Sequence, residues 1–288
     1  MKKLLILSGK GGTGKTTTAA AFLRFSNARA AADCDVDAPN LHLVNTQFVS
    51  PKVTEFNGGD KAVVNPEKCI GCGLCKMNCR FHALTEREGK FVVNEYACEG
   101  CGVCEYVCPN DAVRLITDVA GEKELYLSEK VFSTARLKMG RGNSGKLVTE
   151  VKMDMLKNAP ETELAIIDGS PGIGCPVMAS ISGMDLVLIV AEPSLSGIND
   201  LKRLVETTKI LQTKIAVCVN KYDTSLEKAQ EIRQFCMENE IHFSGTLPYD
   251  PAASELMNAG KSIADSDSPL RDALKQVYED VIEYLEIK

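Results

Sequence analysis

The sequence predicts an α/β protein, a doubly wound and mostly parallel sheet, interrupted by a small inserted α+β module rich in cysteine. Three observations carry this expectation. Short apolar runs alternate with amphipathic segments of helical spacing, the pattern of βα units stacked into a parallel sheet. A glycine-rich loop, Gly9-Lys10-Gly11-Gly12-Thr13-Gly14-Lys15-Thr16, joins the first apolar run to the first amphipathic segment. Two cysteine runs, Cys69-x2-Cys72-x2-Cys75-x3-Cys79 and Cys98-x2-Cys101-x2-Cys104-x3-Cys108-Pro109, break the alternation.

Taken in order, strands are expected at 3–7, 30–34, 164–168, 186–191, 215–219 and 242–247, each a short apolar run. Helices are expected at 15–25, 197–211, 225–238 and 270–285, where apolar residues recur at helical spacing. Polar, turn-rich stretches at 57–60 and 117–121 bound the cysteine-rich segment. They predict an insertion at 60–117 within a larger domain formed by 1–59 and 118–288. In the final helix the apolar face (Leu270, Leu274, Val277, Val281, Ile282, Leu285) is backed by Asp272, Glu279, Asp280, Glu283 and Glu286. A helix lying on anionic lipid would carry a basic polar face, so this one is expected to pack against the protein.

The chain has 288 residues, 44% of them hydrophobic, enough for a large domain with a full core plus a small one. Its net charge of −6 argues against nonspecific binding to nucleic acid, which scales with phosphates neutralised by Lys and Arg. No stretch approaches the length of a membrane span, and residues 1–7 read as a buried strand feeding a loop rather than a signal peptide, so a cytoplasmic location is expected. Twelve cysteines in a reducing compartment point to metal rather than cross-links. Four lie outside the two runs, Cys34, Cys175, Cys218 and Cys236, and Cys34 and Cys218 sit in apolar strand-like stretches as inert core thiols.

Each cysteine run matches the spacing of bacterial ferredoxins, in which three cysteines bind one iron–sulfur cluster and the fourth reaches the partner cluster. This resemblance implies two [4Fe–4S] clusters, one held by Cys69, Cys72, Cys75 and Cys108, the other by Cys98, Cys101, Cys104 and Cys79. Every ligand recurs after 29 residues, as do Val64-Asn65 at Val93-Asn94 and Ala83-Leu84 at Ala112-Val113, the mark of a duplicated half-module. Arg80 stands where the second repeat has Pro109, either raising a cluster potential or meeting an anionic partner. Zinc sites and disulfides are the alternatives. Structural zinc usually pairs C-x2-4-C units, and disulfides do not suit a chain without a secretion signal.

The glycine loop fits G-x4-G-K-[ST], whose backbone N–H groups close around phosphates at a helix N-terminus. Lys15 is placed to neutralise terminal phosphates, Thr16 to ligate Mg²⁺, and Thr17 to bond the α-phosphate. With Lys10 directly after the first glycine, the loop resembles the deviant Walker A motif of the MinD/Mrp/ParA ATPases and the nitrogenase iron protein, P-loop NTPases in which that signature lysine reaches the phosphates across a nucleotide-sandwich dimer. The resemblance covers the chain apart from the insertion. It implies ATP hydrolysis, with Lys10 acting in trans as an arginine finger does. Asp35, in Asp33-Cys34-Asp35-Val36-Asp37, matches the aspartate that orients the attacking water. Asp37 is a weaker candidate for a metal contact and Asp33 for a capping contact. Asp168, ending the Walker B strand, would hold Mg²⁺ through water, and Gly172 would offer its N–H to the γ-phosphate. Asn220 and Pro248 match the positions flanking the adenine, although Asn220-Lys221-Tyr222-Asp223 also has the form of a guanine-reading tetrapeptide.

Cys175 lies seven residues after Asp168, where the nitrogenase iron protein has a cysteine that ligates a bridging cluster. That protein uses a second cysteine per subunit, and 136–146 contains none. A bridging ligand, a small residue lining the switch, and a thiol for a transient cluster therefore stay open for Cys175.

The combined resemblance implies an ATP-gated dimer, of identical chains or with a paralogue, that passes electrons from two [4Fe–4S] clusters to a redox partner protein. The alternative is an iron–sulfur or mixed-metal cluster carrier serving a cluster-acceptor protein, and the third reading is a redox-sensing positioning ATPase of the MinD/ParA kind. Neither nucleic acid nor membrane is expected as a partner.

Overall fold

A computed structural model describes residues 1–44 and 50–287. In chain order the elements are β1 (Lys2–Leu7), α1 (Lys15–Phe25), β2 (Ala30–Asp33), β3 (Lys52–Val64), α2 (Leu74–Met77), β4 (Leu84–Arg87), β5 (Lys90–Val93), α3 (Val103–Tyr106), β6 (Val113–Leu127) and β7 (Val131–Leu137). They continue with α4 (Ser144–Asn158), β8 (Leu164–Asp168), α5 (Cys175–Ile181), β9 (Leu186–Ala191), α6 (Leu195–Ile210), β10 (Lys214–Asn220), α7 (Leu226–Glu238), β11 (His242–Leu247), α8 (Ala252–Asn258) and α9 (Pro269–Tyr284). Two compact units result. One comprises Met1–Val53, Lys123–Arg136 and Ser144–Lys288, and the other Thr54–Glu122 with Leu137–Asn143.

In the larger unit the strand order is β11-β10-β9-β1-β8-β2-β7, with parallel pairing of β1 to β8 and β9, β2 to β7 and β8, and β10 to β9 and β11. The central strands β8 and β9 are buried at every residue, as parallel strands covered on both faces are. Register places Ile6 opposite Asp168 and Leu7 opposite Ile189, so the phosphate loop leaves the sheet beside both neighbours' carboxyl ends. Helix starts follow side-chain caps: Ser194, Ser225 and Ser268 each accept a backbone N–H from the first turn of α6, α7 and α9. Helix α9 buries Leu270, Leu274, Val277 and Val281, and its Tyr278 ring meets Phe22 edge-on at 5.2 Å between centroids. Its apolar face is thus covered by protein, and among the described residues no helix is long and apolar enough to cross a membrane. Lys152 of α4 is buried and donates to the carbonyls of Ala179, Ser180 and Ser182 at 2.6, 2.9 and 2.6 Å, capping the end of α5.

The smaller unit holds β3 beside β6, the antiparallel hairpin β4–β5, and the one-turn helices α2 and α3. The stretches 57–60 and 117–121, expected as turns, lie inside β3 and β6. A Cβ on Gly58 would fall 2.4 Å from the Cβ of Ala120, so this glycine serves close strand approach rather than a bend.

The repeat is visible bond by bond. Asn65 N donates to Ala112 O and Asn94 N to Ala83 O, both at 2.7 Å, and Cys69 N and Cys98 N donate to Asn65 O and Asn94 O, both at 3.0 Å. Gly71 and Gly100 share a left-handed backbone, and a Cβ there would collide with Gly89 O at 2.3 Å and Asp60 O at 2.1 Å, again equivalent places. Lys61 of the first repeat donates to Cys98 O of the second, while Lys90 of the second donates to Cys69 O of the first at 2.9 Å.

Candidate functional site

Most of the loop 9–16, all but Gly9 and Thr13, lines a cavity of about 540 Å³ together with Thr17 and Thr18. Gly14, in the left-handed region at φ 95°, takes the capping place of α1 without a side-chain cap, and no acidic residue lies in the first turn. Uncapped first-turn N–H groups together with the helix dipole make this an anion site. Lys10, Gly11, Gly12, Gly14, Lys15, Thr16, Thr17, Asp35, Asn220 and Pro248, all expected from the sequence, border the same cavity.

Beneath it is a buried polar cluster. Lys15 Nζ lies 2.7 Å from Asp168 Oδ1 and 3.7 Å from Asp35 Oδ2, and the Thr16 hydroxyl donates to Asp168 Oδ2 at 2.7 Å. Burial lowers the Lys15 pKa, but the carboxylates of Asp168, Asp33 and Asp35 outweigh it and hold the ammonium above its usual value. Asp33 is fully buried. Its oxygens accept the N–H groups of Asp35, Asn40 and Leu41 at 3.0, 2.9 and 3.0 Å, shaping the loop that carries Asp35. Burial and the nearby Asp168 push Asp33 up to about 7 against the pull of Lys15. The hydroxyl of Thr16 and the carboxylate of Asp168 are hard oxygen donors suited to Mg²⁺. In this arrangement both Asp168 oxygens are taken, Oδ1 by the ammonium of Lys15 and Oδ2 by the hydroxyl of Thr16.

Other expected residues have different surroundings. Asp37 is exposed and is not among the residues lining the cavity. Gly172 N donates to Ser8 O at 3.2 Å, so its N–H is spent on the backbone in this arrangement. Thr13 donates to Lys10 O at 3.4 Å, and Gly9 packs so closely on α6 that a Cβ would lie 2.2 Å from Asp200 Cβ. Asn220 Nδ2 donates to Thr13 O at 2.8 Å, tying the base side of the cavity to the phosphate loop. Asp223 accepts Tyr249 N at 2.9 Å, which commits its carboxylate to the backbone. Cys175 is exposed at the start of α5.

Glu192 escaped the sequence reading, and Lys221 figured there only as part of the tetrapeptide at 220–223, not as a partner of the phosphate loop. Glu192 Oε2 lies 3.1 Å from Lys10 Nζ, and Oε1 lies 2.6 Å from Lys221 Nζ, which also donates to Gly12 O at 3.0 Å. Partial burial would raise Glu192, but the two lysines lower it overall.

In the smaller unit, Cys79, Cys98, Cys101 and Cys104 line one small cavity. Cys75, Cys98 and Cys104 are buried, Cys69, Cys79 and Cys108 half-buried, and Cys72 and Cys101 exposed. Burial raises the Cys75 thiol, with Cys69 and Cys72 near enough to add to the shift. Asn110 Nδ2 donates to Lys68 O at 2.6 Å, drawing the segment after Cys108 toward Cys69. Three thiols accept backbone N–H groups: Cys98 from Ala62 at 3.4 Å, Cys79 from Ala83 at 3.4 Å, and Cys108 from Ala112 at 3.2 Å. Among the described residues, no three His, Cys, Asp or Glu side chains are arranged to hold a single metal ion. Lys61 and Lys90 also escaped the sequence reading, although their 29-residue spacing was there to be found.

Comparison with known proteins agrees with the phosphate loop and sheet. The protein named Uncharacterized protein MJ0578 of Methanocaldococcus jannaschii is 31% identical over 98% of this chain and 97% of its own length. Among solved structures, Pyrococcus horikoshii septum site-determining protein MinD complexed with Mg-ADP superposes with a TM-score of 0.57 at 17% identity, covering 99% of this chain and 97% of that one. The ATP complex of Cyanothece McdA superposes at 0.59 and 19% identity, covering 100% and 97%. At such identities the likeness is one of fold. The model of the CobQ/CobB/MinD/ParA nucleotide binding domain matches residues 4–263, and with the loop, the strand order and the Lys15–Asp168–Thr16 cluster in view, the chain belongs to that family as a P-loop ATPase of the MinD/ParA type.

Proposed function

We propose that the protein binds and hydrolyses Mg-ATP as a nucleotide-dependent dimer and gates electron delivery from two [4Fe–4S] clusters to a redox partner protein. The observation that carries the nucleotide half is the buried Lys15–Asp168–Thr16 cluster under an uncapped helix N-terminus. Lys15 would bind the terminal phosphates, Thr16 and Asp168 would hold Mg²⁺, and Asp35, half-buried at the cavity edge, would orient the water that attacks the γ-phosphorus as ADP leaves. Asn220 and Pro248 would flank the base. Lys10 would reach the phosphates of the facing subunit.

The iron–sulfur half is supported by the cavity shared by Cys79, Cys98, Cys101 and Cys104, a set drawn from both repeats. A four-iron core spreads four thiolates around a cube, wider than the ligands of one ion, and N–H donors to sulfur stabilise thiolate charge and tune potential. The clusters would supply one-electron storage at low potential. The chain's residues hold and shield them, with Lys61 and Lys90 fixing the carbonyls of the first ligands. Cys69, Cys72, Cys75 and Cys108 would form the second set. The family match, to the CobQ/CobB/MinD/ParA nucleotide binding domain, supports a positioning ATPase as the second reading.

The test is anaerobic. Reduced protein is mixed with an electron acceptor, and reoxidation is compared with ATP, with ADP, and in Lys10→Ala. Faster reoxidation with ATP alone is expected, whereas equal rates in all three would remove the gating. Iron-free, colourless protein from anaerobic cells would remove the clusters and leave the positioning ATPase.

A further inference from the structure

We propose that Glu192 is a positioning residue that stores Lys10 inside its own subunit until the nucleotide of a second copy of the chain takes it. The proposal rests on the dimer reading for the acceptor of Lys10 and goes beyond it in giving Glu192 a role.

Strand β9, which ends one residue before Glu192, lies beside β1, so the carboxylate and the start of the phosphate loop emerge from neighbouring strand ends. Both carboxylate oxygens are used, Oε1 by Lys221 at 2.6 Å and Oε2 by Lys10 at 3.1 Å, and the side chain is only 16% exposed. Lys221 also donates to Gly12 O at 3.0 Å, which fastens the carboxylate to the loop through a second lysine. The Lys10 side chain, by contrast, is 41% exposed. It has one further weak tether, Ser196 Oγ at 3.4 Å. Its backbone is fixed, because Ser8 Oγ donates to Lys10 O at 2.9 Å and Gly9 is pressed against Asp200.

These contacts separate what moves from what stays. The carboxylate is anchored and the Lys10 main chain is held, so the exchange is a swing of one side chain. In the stored position the charge of Lys10 is spent on Glu192 and competes with any phosphate. The order of events follows: a facing triphosphate must outbid Glu192 before the two subunits lock, which makes locking depend on nucleotide in both.

Glu192→Gln keeps the shape and an acceptor but removes the charge. With an ATP analogue that resists hydrolysis, dimerisation measured by sedimentation should occur at about thirtyfold lower protein concentration, the change expected when two half-exposed ion pairs, one per subunit and each worth about 1 kcal/mol, no longer have to be broken. In a Lys10→Ala background the same substitution should change nothing, because the coupling runs through Lys10. An equal shift in both backgrounds would overturn the proposal. Acylation of Lys10 in the nucleotide-free monomer, read by mass spectrometry, should rise several-fold in Glu192→Gln while exposed Lys275 keeps its rate. Unchanged Lys10 labelling would also overturn it. Should the wild-type chain stay monomeric with nucleotide, the dimer reading fails, and the labelling still decides whether Glu192 holds Lys10. Glu192→Asp, which keeps the charge but withdraws it, should raise labelling less than Gln, and this graded order guards against a folding defect.

Discussion

Replacing Gly14 with alanine separates two costs that are usually confounded. The residue sits at φ 95°, and a left-handed backbone costs an L-residue with a Cβ about 1–2 kcal/mol. The new Cβ would also lie 2.2 Å from Asn220 Nδ2, the donor that holds Thr13 O at 2.8 Å. Asn220 is nearly buried, so displacing its amide breaks that bond and leaves polar groups short of partners, a further ~1–3 kcal/mol. Gly12 provides the control, since it shares the left-handed backbone at φ 81° but has open space where a Cβ would be. Gly14→Ala should therefore lose ~2–5 kcal/mol and Gly12→Ala only the backbone part, ~1–2 kcal/mol. Urea unfolding followed by circular dichroism gives both numbers, provided the slope is unchanged between variants. Adding Asn220→Ala to Gly14→Ala should cost little more, because the bond is already broken. Equal losses for Gly12→Ala and Gly14→Ala would refute the reasoning, because they would show that Asn220 yields freely.

Lys152→Met should destabilise by ~2–4 kcal/mol by stripping three carbonyls of their donor. The same lysine gives a pH signature. Burial lowers its pKa to about 8 from 10.5, so the protein gains stability as pH rises from 8 toward 10.5 and loses it as pH falls through 8. Denaturation midpoints across that window should climb in wild type and stay flat in Lys152→Met once other groups are subtracted. Asp168→Asn leaves Lys15 without its nearest carboxylate and should abolish hydrolysis, read as phosphate release, while folding survives at lower stability. Cys101→Ser should remove about half of the iron and Cys175→Ser none, measured on anaerobically purified protein. Full iron in Cys101→Ser would remove that thiol from the proposed ligands.

The nucleotide half was legible because its signals are local. Strands such as β8 and β9 are buried on both faces and read as unbroken apolar runs, and the loop is a contiguous motif. The sequence placed Lys15 and Asp168 as partners of one ligand, and the fold brings them to 2.7 Å. Glu192 was illegible because its role depends on β9 lying next to β1 and on Lys221 turning back through a left-handed backbone at φ 56°. The β3 and β6 interiors were misread as turns because Gly58 looks the same whether it bends a chain or admits Ala120. Helix α4, absent from the sequence expectation, carries Leu147, Val148, Val151 and Met155 at helical spacing.

The crossed lysines of the small unit make its two halves mutually dependent. Each 29-residue half offers a lysine and a carbonyl wall to its sibling and needs the same two things in return, so a lone half would be complementary to another copy of itself. Two separate copies of such a half would meet only at a rate set by their concentration. In this chain the two halves are joined, so their encounter is intramolecular and independent of protein concentration, and they differ at equivalent places such as Arg80 and Pro109.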